Sequence, residues 1–176
     1  MTILGSKSDM AYIDDELRSF REMFCLLASS RGNSMKVMIK KAGLSNSYFY
    51  KFRKLEFWNP TMKTLGMLLS AMKCSVYDLF SFMAEYEGYD LMCLPEGNHE
   101  FIAAGICRMD VYDYIMKYYP EDRTIRFESI FRNKDDGHSD IYYSTIVDVA
   151  EKLDMKPFEL FEDIYRFSLY RKACGL

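Results

Sequence analysis

Histidine and the common catalytic motifs are scarce in this sequence. Its 176 residues include only two histidines, His99 and His138. It has no glycine-rich phosphate loop, no HExxH and no GxSxG, which are the motifs that mark phosphate binding, zinc hydrolases and serine nucleophiles. The Asp-Asp-Gly-His-Ser run around His138 has the ordinary composition of an exposed turn. We therefore expect a protein that is not an enzyme, with no catalytic residues and no cofactor.

Long apolar runs are absent as well. The N-terminal residues Met-Thr-Ile-Leu-Gly-Ser-Lys-Ser lack the stretch of about seven or more apolar residues that a signal peptide needs. The hydrophobic fraction is nevertheless 49%, which is ample for a core and too high for a disordered chain. We expect a soluble, cytoplasmic protein without membrane contact, folded as one domain or two small ones.

Cysteine pairs with a recognisable spacing are missing too. The five cysteines are odd in number and form no CxxC pair, which favours reduced thiols over a disulfide framework. Cys93, His99 and Cys107 match no structural zinc spacing. We therefore expect no metal site.

Charge, by contrast, is present but unevenly placed. The formal net charge is -3, yet the segment from Arg31 to Lys73 contains nine lysines or arginines and one acid, Glu56. That segment carries +8, so the remainder of the chain carries -11. A local basic surface on an acidic protein favours contact with a polyanion at one place only.

Apolar spacing predicts five short helices in this first part of the chain. The first runs from Tyr12 to Ala28, with apolar residues every three or four positions. Serine N-caps are expected before the second, third and fifth helices, and a proline in the first turn of the fourth. The expected features are Ser34 before a helix that stops at Gly43, Ser45 before a helix over 46–54, Pro60 for the fourth, and Ser75 with Asp78 for the fifth.

A linker is predicted where this pattern dissolves. Two glycines and a proline within residues 85–99 are typical of a connection. We expect an N-terminal domain at 1–84 and a second domain at 100–176.

The second half of the chain repeats part of the first. Residues 143–161 match residues 62–80 position for position at an offset of 81, with Leu-Phe closing each segment. Farther back, and with a two-residue insertion, the helix expected at Thr124–Arg132 falls on the third helix, and Ile106 falls on Leu27 of the first. We infer a degenerate internal duplication.

Residues 34–80 resemble a known family. The pattern consists of the turn Lys41-Ala42-Gly43-Leu44-Ser45, the core positions Phe49 and Phe52, Asn59-Pro60, and Cys74-Ser75-Val76-Tyr77-Asp78-Leu79-Phe80. It resembles the Cro-like or XRE-type (lambda-repressor-like) helix-turn-helix family of phage repressors and bacterial transcription regulators, over about sixty residues when the first helix is included. The resemblance implies an all-α protein, with a five-helix DNA-binding domain followed by a second, degenerate helix-turn-helix-like domain.

The resemblance also implies which residues meet double-stranded DNA. The helix 46–54 would lie in the major groove, where Asn46 suits adenine and Lys51 suits guanine. Lys54 and the start of the second helix would contact phosphates. The expected DNA-binding set is Ser34, Lys36, Ser45, Asn46, Ser47, Tyr48, Tyr50, Lys51 and Lys54.

Two residues depart from the family pattern. Met35 stands where a glutamine usually helps to hold the helix on DNA, so a hydrogen-bonding group is lost. Ile39 stands where a small alanine usually lets the two motif helices approach each other, and a larger side chain in a tight site costs about 1 to 3 kcal/mol.

These features favour a sequence-specific, repressor-like transcription regulator. We expect a homodimer, because one motif reads only a few base pairs. The second domain is expected to dimerise or to bind a protein partner, because four acids there would repel phosphate. They are Glu128, Asp135, Asp136 and Asp140. An apolar stripe is either part of this interface or plain core: Phe158, Phe161, Ile164, Tyr165, Ser168 and Leu169.

A second interpretation stays open. The chain is 16% aromatic, with 14 tyrosines and 13 phenylalanines, and tyrosine is enriched in protein interfaces. The same scaffold could therefore serve as a protein-binding module without DNA, such as an antitoxin-like protein or a phage-encoded inhibitor.

Overall fold

The computed structural model describes residues 7–89, 106–121 and 140–175. Within these ranges every regular element is a helix, so the prediction of an all-α protein is confirmed. The helices are α1 (Lys7–Ser30), α2 (Met35–Lys41), α3 (Asn46–Lys54), α4 (Met62–Ala71), α5 (Val76–Tyr86), α6 (Arg108–Tyr118), α7 (Tyr143–Lys152) and α8 (Pro157–Ala173).

The described residues divide into two compact units. Unit 1 contains residues 7–59 and 64–89, and unit 2 contains residues 60–63, 106–121 and 140–175. The expected linker at 85–99 begins inside the last turn of α5, and its residues from 90 onward lie outside the described residues.

Unit 1 is built around an aromatic cluster. The single tryptophan, Trp58, is buried, and its ring centroid lies 5.0 Å from that of Phe24, 5.5 Å from Phe52 and 5.7 Å from Phe20. Offset and edge-on ring pairs at such distances add stability beyond that of the buried area. The cluster joins α1, α3 and the segment that follows α3 into one core.

The three predicted serine caps are confirmed, whereas Pro60, which was expected in the first turn of α4, precedes that helix by two residues. The Ser34, Ser45 and Ser75 hydroxyls accept hydrogen bonds from backbone amides of the first turns that follow them. Ser75 and Asp78 form a full capping box, since the Asp78 carboxylate in turn accepts from the Ser75 amide at 2.8 Å. Gly43 ends α2 with φ of +75°, the left-handed conformation expected of it.

Unit 2 packs α6 and α7 against α8. All but one member of the apolar stripe on α8 are buried in this unit, and the remaining one, Leu169, is half-buried. The stripe is therefore intramolecular core. The structure contradicts one alignment of the repeat: Ile106, which aligns with Leu27 in the last turn of α1, precedes α6, whose first helical residue is Arg108. The expected helix Thr124–Arg132 and the acids Glu128, Asp135 and Asp136 lie outside the described residues, as do Cys93, His99 and His138.

The offset of 81 residues holds in the backbone. The helix α4 (Met62–Ala71) corresponds residue for residue to α7 (Tyr143–Lys152), and α5 and α8 begin at corresponding positions. Between the helices of each pair one non-glycine residue has a positive φ, 55° at Lys73 and 53° at Asp154, again 81 residues apart. Because such a conformation is uncommon outside glycine, its recurrence supports the alignment of the two segments.

Unit 2 also contains a short antiparallel pairing. Thr61 forms an isolated β-bridge with Tyr142. The Met62 amide donates to the Ile141 carbonyl, and the Tyr143 amide donates to the Pro60 carbonyl, each at 2.9 Å. Asp140 caps the start of α4, its two carboxylate oxygens accepting from the Lys63 amide at 3.2 and 3.3 Å.

Two further observations concern the predictions about membrane contact and about the cysteines. No single helix in the described ranges is long and apolar enough to cross a membrane; α4 and α5 meet that criterion only as a pair, bent by 98°. The four described cysteines, Cys25, Cys74, Cys107 and Cys174, are free thiols. Burial raises the pKa of the first three thiols above the ordinary value, which leaves them protonated and weakly reactive at neutral pH.

Candidate nucleic-acid interface

A tight turn joins α2 to α3. The Gly43 amide donates to the Lys40 carbonyl at 3.1 Å, and the Leu44 amide donates to the Ile39 carbonyl at 3.1 Å. These bonds satisfy carbonyls at the end of α2 in the way that a left-handed glycine permits. Ser45 then starts α3 by accepting from the Tyr48 amide at 3.2 Å.

The helix α3 has one polar, exposed face. Asn46, Tyr50 and Lys54 are spaced four residues apart, and Ser47 and Lys51 run beside them. All five residues are exposed, and 60% of the Tyr50 surface is accessible. Residues at this spacing share one side of a helix, so these five predicted residues lie together on one surface.

Tyr48 is placed differently from the expectation. Its hydroxyl accepts a hydrogen bond from Trp58 Nε1 at 2.8 Å, and its side chain is half-buried. Burial raises the pKa of the Tyr48 phenol. The hydroxyl is thus engaged with the aromatic cluster of unit 1, and Tyr48 supports α3 from behind the exposed face.

Phe52 anchors the same buried side of α3. Only 4% of its surface is exposed, and the Arg21 guanidinium of α1 lies 4.6 Å from its ring centroid. Arg21 Nη2 also donates to the Phe52 carbonyl at 3.4 Å. A planar cation over a ring face is a favourable contact, so α1 holds α3 through both a side chain and a backbone group.

The α2 residues of the predicted set are exposed at the start of that helix. Ser34 and Lys36 are both accessible, and Lys36 Nζ lies 6.0 Å from the Phe49 ring centroid. Met35 and Ile39, the two departures from the family pattern, are buried at 8% and 2% exposure. They belong to the core between the helices and do not occupy the exposed face.

The sequence reading missed three exposed cations near this face. Lys40 and Lys41 lie in the last turn of α2, and Arg53 lies in the last turn of α3. The excess of positive charge over residues 31–73 could have indicated them, because it extends beyond the positions that the family resemblance implies. The one acid in that segment, Glu56, lies 3.7 Å from the Arg18 guanidinium of α1, so its charge is partly compensated.

The α2–α3 face, defined as Ser34, Lys36, Lys40, Lys41, Asn46, Ser47, Tyr50, Lys51, Arg53 and Lys54, contains no acid. Neither helix has an acidic residue in its first turn. Helix N-termini without carboxylates keep their partial positive charge available to anions. The face combines hydrogen-bonding groups with a surplus of positive charge.

Comparisons of the chain with protein-family models, with curated protein sequences and with solved structures gave no match. The residues and geometry of the α2–α3 face therefore carry the evidence for function.

Proposed function

We propose that this protein is a sequence-specific double-stranded DNA-binding regulator of the helix-turn-helix type, with α3 in the major groove. One observation carries the proposal: α3 has an exposed face of asparagine, serine, tyrosine and lysine that is free of acids, while its other side packs into the aromatic cluster of unit 1. Asn46 and Lys51 offer the amide and ammonium groups that read adenine and guanine. The half-buried Tyr48 and the buried Phe52 fix the orientation of the helix.

The cations divide into two expected roles. Lys51, in the middle of the exposed face, would contact a base edge, whereas Lys36 and Lys54, at the ends of their helices, would contact phosphates and position the protein. The chain would act as a homodimer, with half-sites about one DNA turn apart. We further propose that the 81-residue repeat is a degenerate duplication, in which unit 2 serves packing or partner binding.

Binding of fluorescent duplexes to the full chain at two salt concentrations tests the proposal. After a preferred sequence has been selected from random duplexes, Lys51→Gln should reduce the preference by about tenfold, since a base-specific contact contributes about 1 to 3 kcal/mol. Lys54→Gln should weaken preferred and random duplexes alike and lower the log-log salt slope by about one unit. Lys172→Gln, on unit 2, is the matched control for the loss of one positive charge and should change neither quantity.

Two results would defeat the proposal: binding without salt dependence, or equal effects of Lys51→Gln, Lys54→Gln and Lys172→Gln. The second candidate function, a protein-binding module on the same scaffold, is favoured by the exposed apolar groups of unit 1, including Tyr50 and Leu55. It predicts that duplex DNA is not bound at low salt, whereas Tyr50→Ala disrupts the capture of a partner protein.

A further inference from the structure

Unit 2 contains an aromatic cleft between α6 and α8 that the proposed DNA-binding face does not use. Its volume is about 550 Å³. Tyr114, Tyr118 and Tyr119 line it from the side of α6, and Asp163, Arg166, Phe167 and Tyr170 line it from α8. Tyr118 and Tyr170 are 53% and 61% exposed, so the cleft opens to solvent.

The ring faces around this cleft attract cations. Lys117 Nζ lies 5.2 Å from the Tyr118 ring centroid, 5.6 Å from that of Phe167 and 5.9 Å from that of Tyr170. The Arg171 guanidinium lies 5.8 Å from the Phe167 centroid. A positive charge within about 6 Å of a ring face is held by the ring quadrupole, and this protein already uses that interaction with its own side chains.

One carboxylate in the cleft, that of Asp163, has a tyrosine hydroxyl as its hydrogen-bond donor, and the nearby Arg166 acts on it only through space. Asp163 accepts a hydrogen bond from the Tyr114 hydroxyl at 3.1 Å. Within the described residues no lysine or arginine forms a salt bridge with it, and the neighbouring Arg166 pairs with Glu162 instead. Asp163 is an exposed residue, yet the groups packed around it remove enough water to raise the pKa of its carboxyl. A ligand that donates hydrogen bonds to this carboxylate would recover that solvation.

The repeated helix pair does not require an acid at the position of Asp163. The residue 81 positions earlier is Phe82, in the corresponding turn of α5. An acid at this position of a shared helix pair is therefore particular to unit 2. A partly desolvated carboxylate beside several rings is a combination typical of cation recognition.

We propose that this cleft binds a guanidinium group, namely an arginine side chain presented by a partner protein. A guanidinium is planar, stacks on aromatic rings and presents a fork of N–H donors that matches a carboxylate. An ammonium group lacks the plane and the fork. A phosphate or carboxylate ligand would meet the Asp163 charge. The aromatic lining and the Asp163 carboxylate thus favour arginine over these groups, since Arg166, the cation in the lining, is paired with Glu162.

The test uses NMR titration of the full-length, isotope-labelled protein with the blocked peptide Gly-Gly-Arg-Gly-Gly. The expected result is a saturable shift of the amide signals of Asp163 and Phe167. The peptide with citrulline, which keeps the planar shape but has no charge, should bind about tenfold more weakly, as should the lysine peptide. Asp163→Asn should weaken the arginine peptide by about tenfold, the effect of one charge-assisted contact. Asp148→Asn, which removes a carboxylate from α7 in the same unit, should leave binding unchanged.

Three results would overturn the proposal. Equal binding of the arginine and citrulline peptides would mean that charge is not recognised. An unchanged affinity of Asp163→Asn would remove the carboxylate from the site. Methylguanidinium that binds as tightly as the peptide would identify a free guanidino compound, and not a protein partner, as the ligand. Because the peptide titration requires no DNA, the proposal stands or falls separately from duplex binding.

Discussion

The helix pairs α4–α5 and α7–α8 have the same backbone geometry but expose different residues. Both first helices are ten residues long, both connections contain one residue in the left-handed conformation, and both second helices have an acid at the third position, Asp78 or Glu159. The two pairs diverge at their ends. Gly88, with φ of +81°, follows α5, whereas the equivalent residue Leu169 lies inside α8, which runs on to Ala173.

That divergence explains where the aromatic cleft comes from. The additional turn of α8 carries Tyr170, which lines the cleft, and Arg171, which pairs with Asp113 of α6. Neither residue has a helical counterpart in α5, which stops at Tyr86. A shared apolar framework therefore fixes the backbone, while helix length and exposed residues decide what each unit can bind.

The largest expected effect tests the shared framework. Leu79 in α5 and Leu160 in α8 are equivalent and fully buried. Replacing either with alanine leaves a cavity and should lower the free energy of unfolding by about 2 to 5 kcal/mol. Trp58 belongs to unit 1 and is the only tryptophan, so its fluorescence reports that unit alone.

In urea titrations Leu79→Ala should shift the Trp58 transition more than Leu160→Ala does, whereas Leu160→Ala should act mainly on the circular dichroism transition. Equal shifts of the Trp58 transition would show that the units unfold as one cooperative body.

Much of this framework follows from local sequence signals. Ser34, Ser45, Ser75 and Gly43 act as predicted, because caps and left-handed glycines depend on a few neighbouring backbone groups. The predicted end of α3 at Lys54 is likewise confirmed. The alignment of Ile106 with α1 failed, because apolar spacing alone does not say where a helix begins.

The candidate surfaces were harder to predict, because they depend on contacts between distant parts of the chain. The sequence pattern predicted Tyr48 on the DNA-reading side of α3. Its hydroxyl instead accepts a hydrogen bond from the indole N–H of Trp58, ten residues away. The cleft joins α6 to α8, about fifty residues apart in the sequence. No sequence motif in either helix predicts that these tyrosines lie beside Asp163.

A smaller effect should follow from substitutions at the two equivalent positions, Gly88 after α5 and Leu169 inside α8. Gly88→Ala places a side chain at φ of +81°, and since no atom lies within 4 Å of the new Cβ, the cost is that of backbone strain, about 1 kcal/mol. Leu169→Gly weakens the last turns of α8 by about 1 kcal/mol compared with Leu169→Ala. Only Leu169→Gly should also reduce binding of the arginine peptide, because it loosens the turn that carries Tyr170. Urea titration and peptide titration measure the two effects, and a Leu169→Gly variant with unaltered peptide affinity would separate the cleft from the length of α8.

The smallest expected effect concerns Asp163 itself, the residue that most distinguishes α8 from α5. Burial first, and then nearby acids, raise the pKa of this carboxyl above 3.8, against the lowering effects of Tyr114 and Arg166. A folded state that holds its proton more tightly loses stability as the pH rises from about 4 through the raised pKa. Asp163→Asn cannot titrate there and can still accept from the Tyr114 hydroxyl, so the variant should be more stable than the parent at pH 7 and equal to it near pH 3.

The gain should stay below about 1 kcal/mol, because the carboxylate is partly exposed and screened by solvent. Thermal melts at both pH values, with Asp148→Asn as the control, measure it. A variant that is more stable and at the same time binds the arginine peptide more weakly would show that unit 2 keeps this acid for recognition at the expense of folding. If Asp163→Asn is instead destabilised at pH 7, the carboxylate has a structural role, and its difference from Phe82 then reflects packing alone.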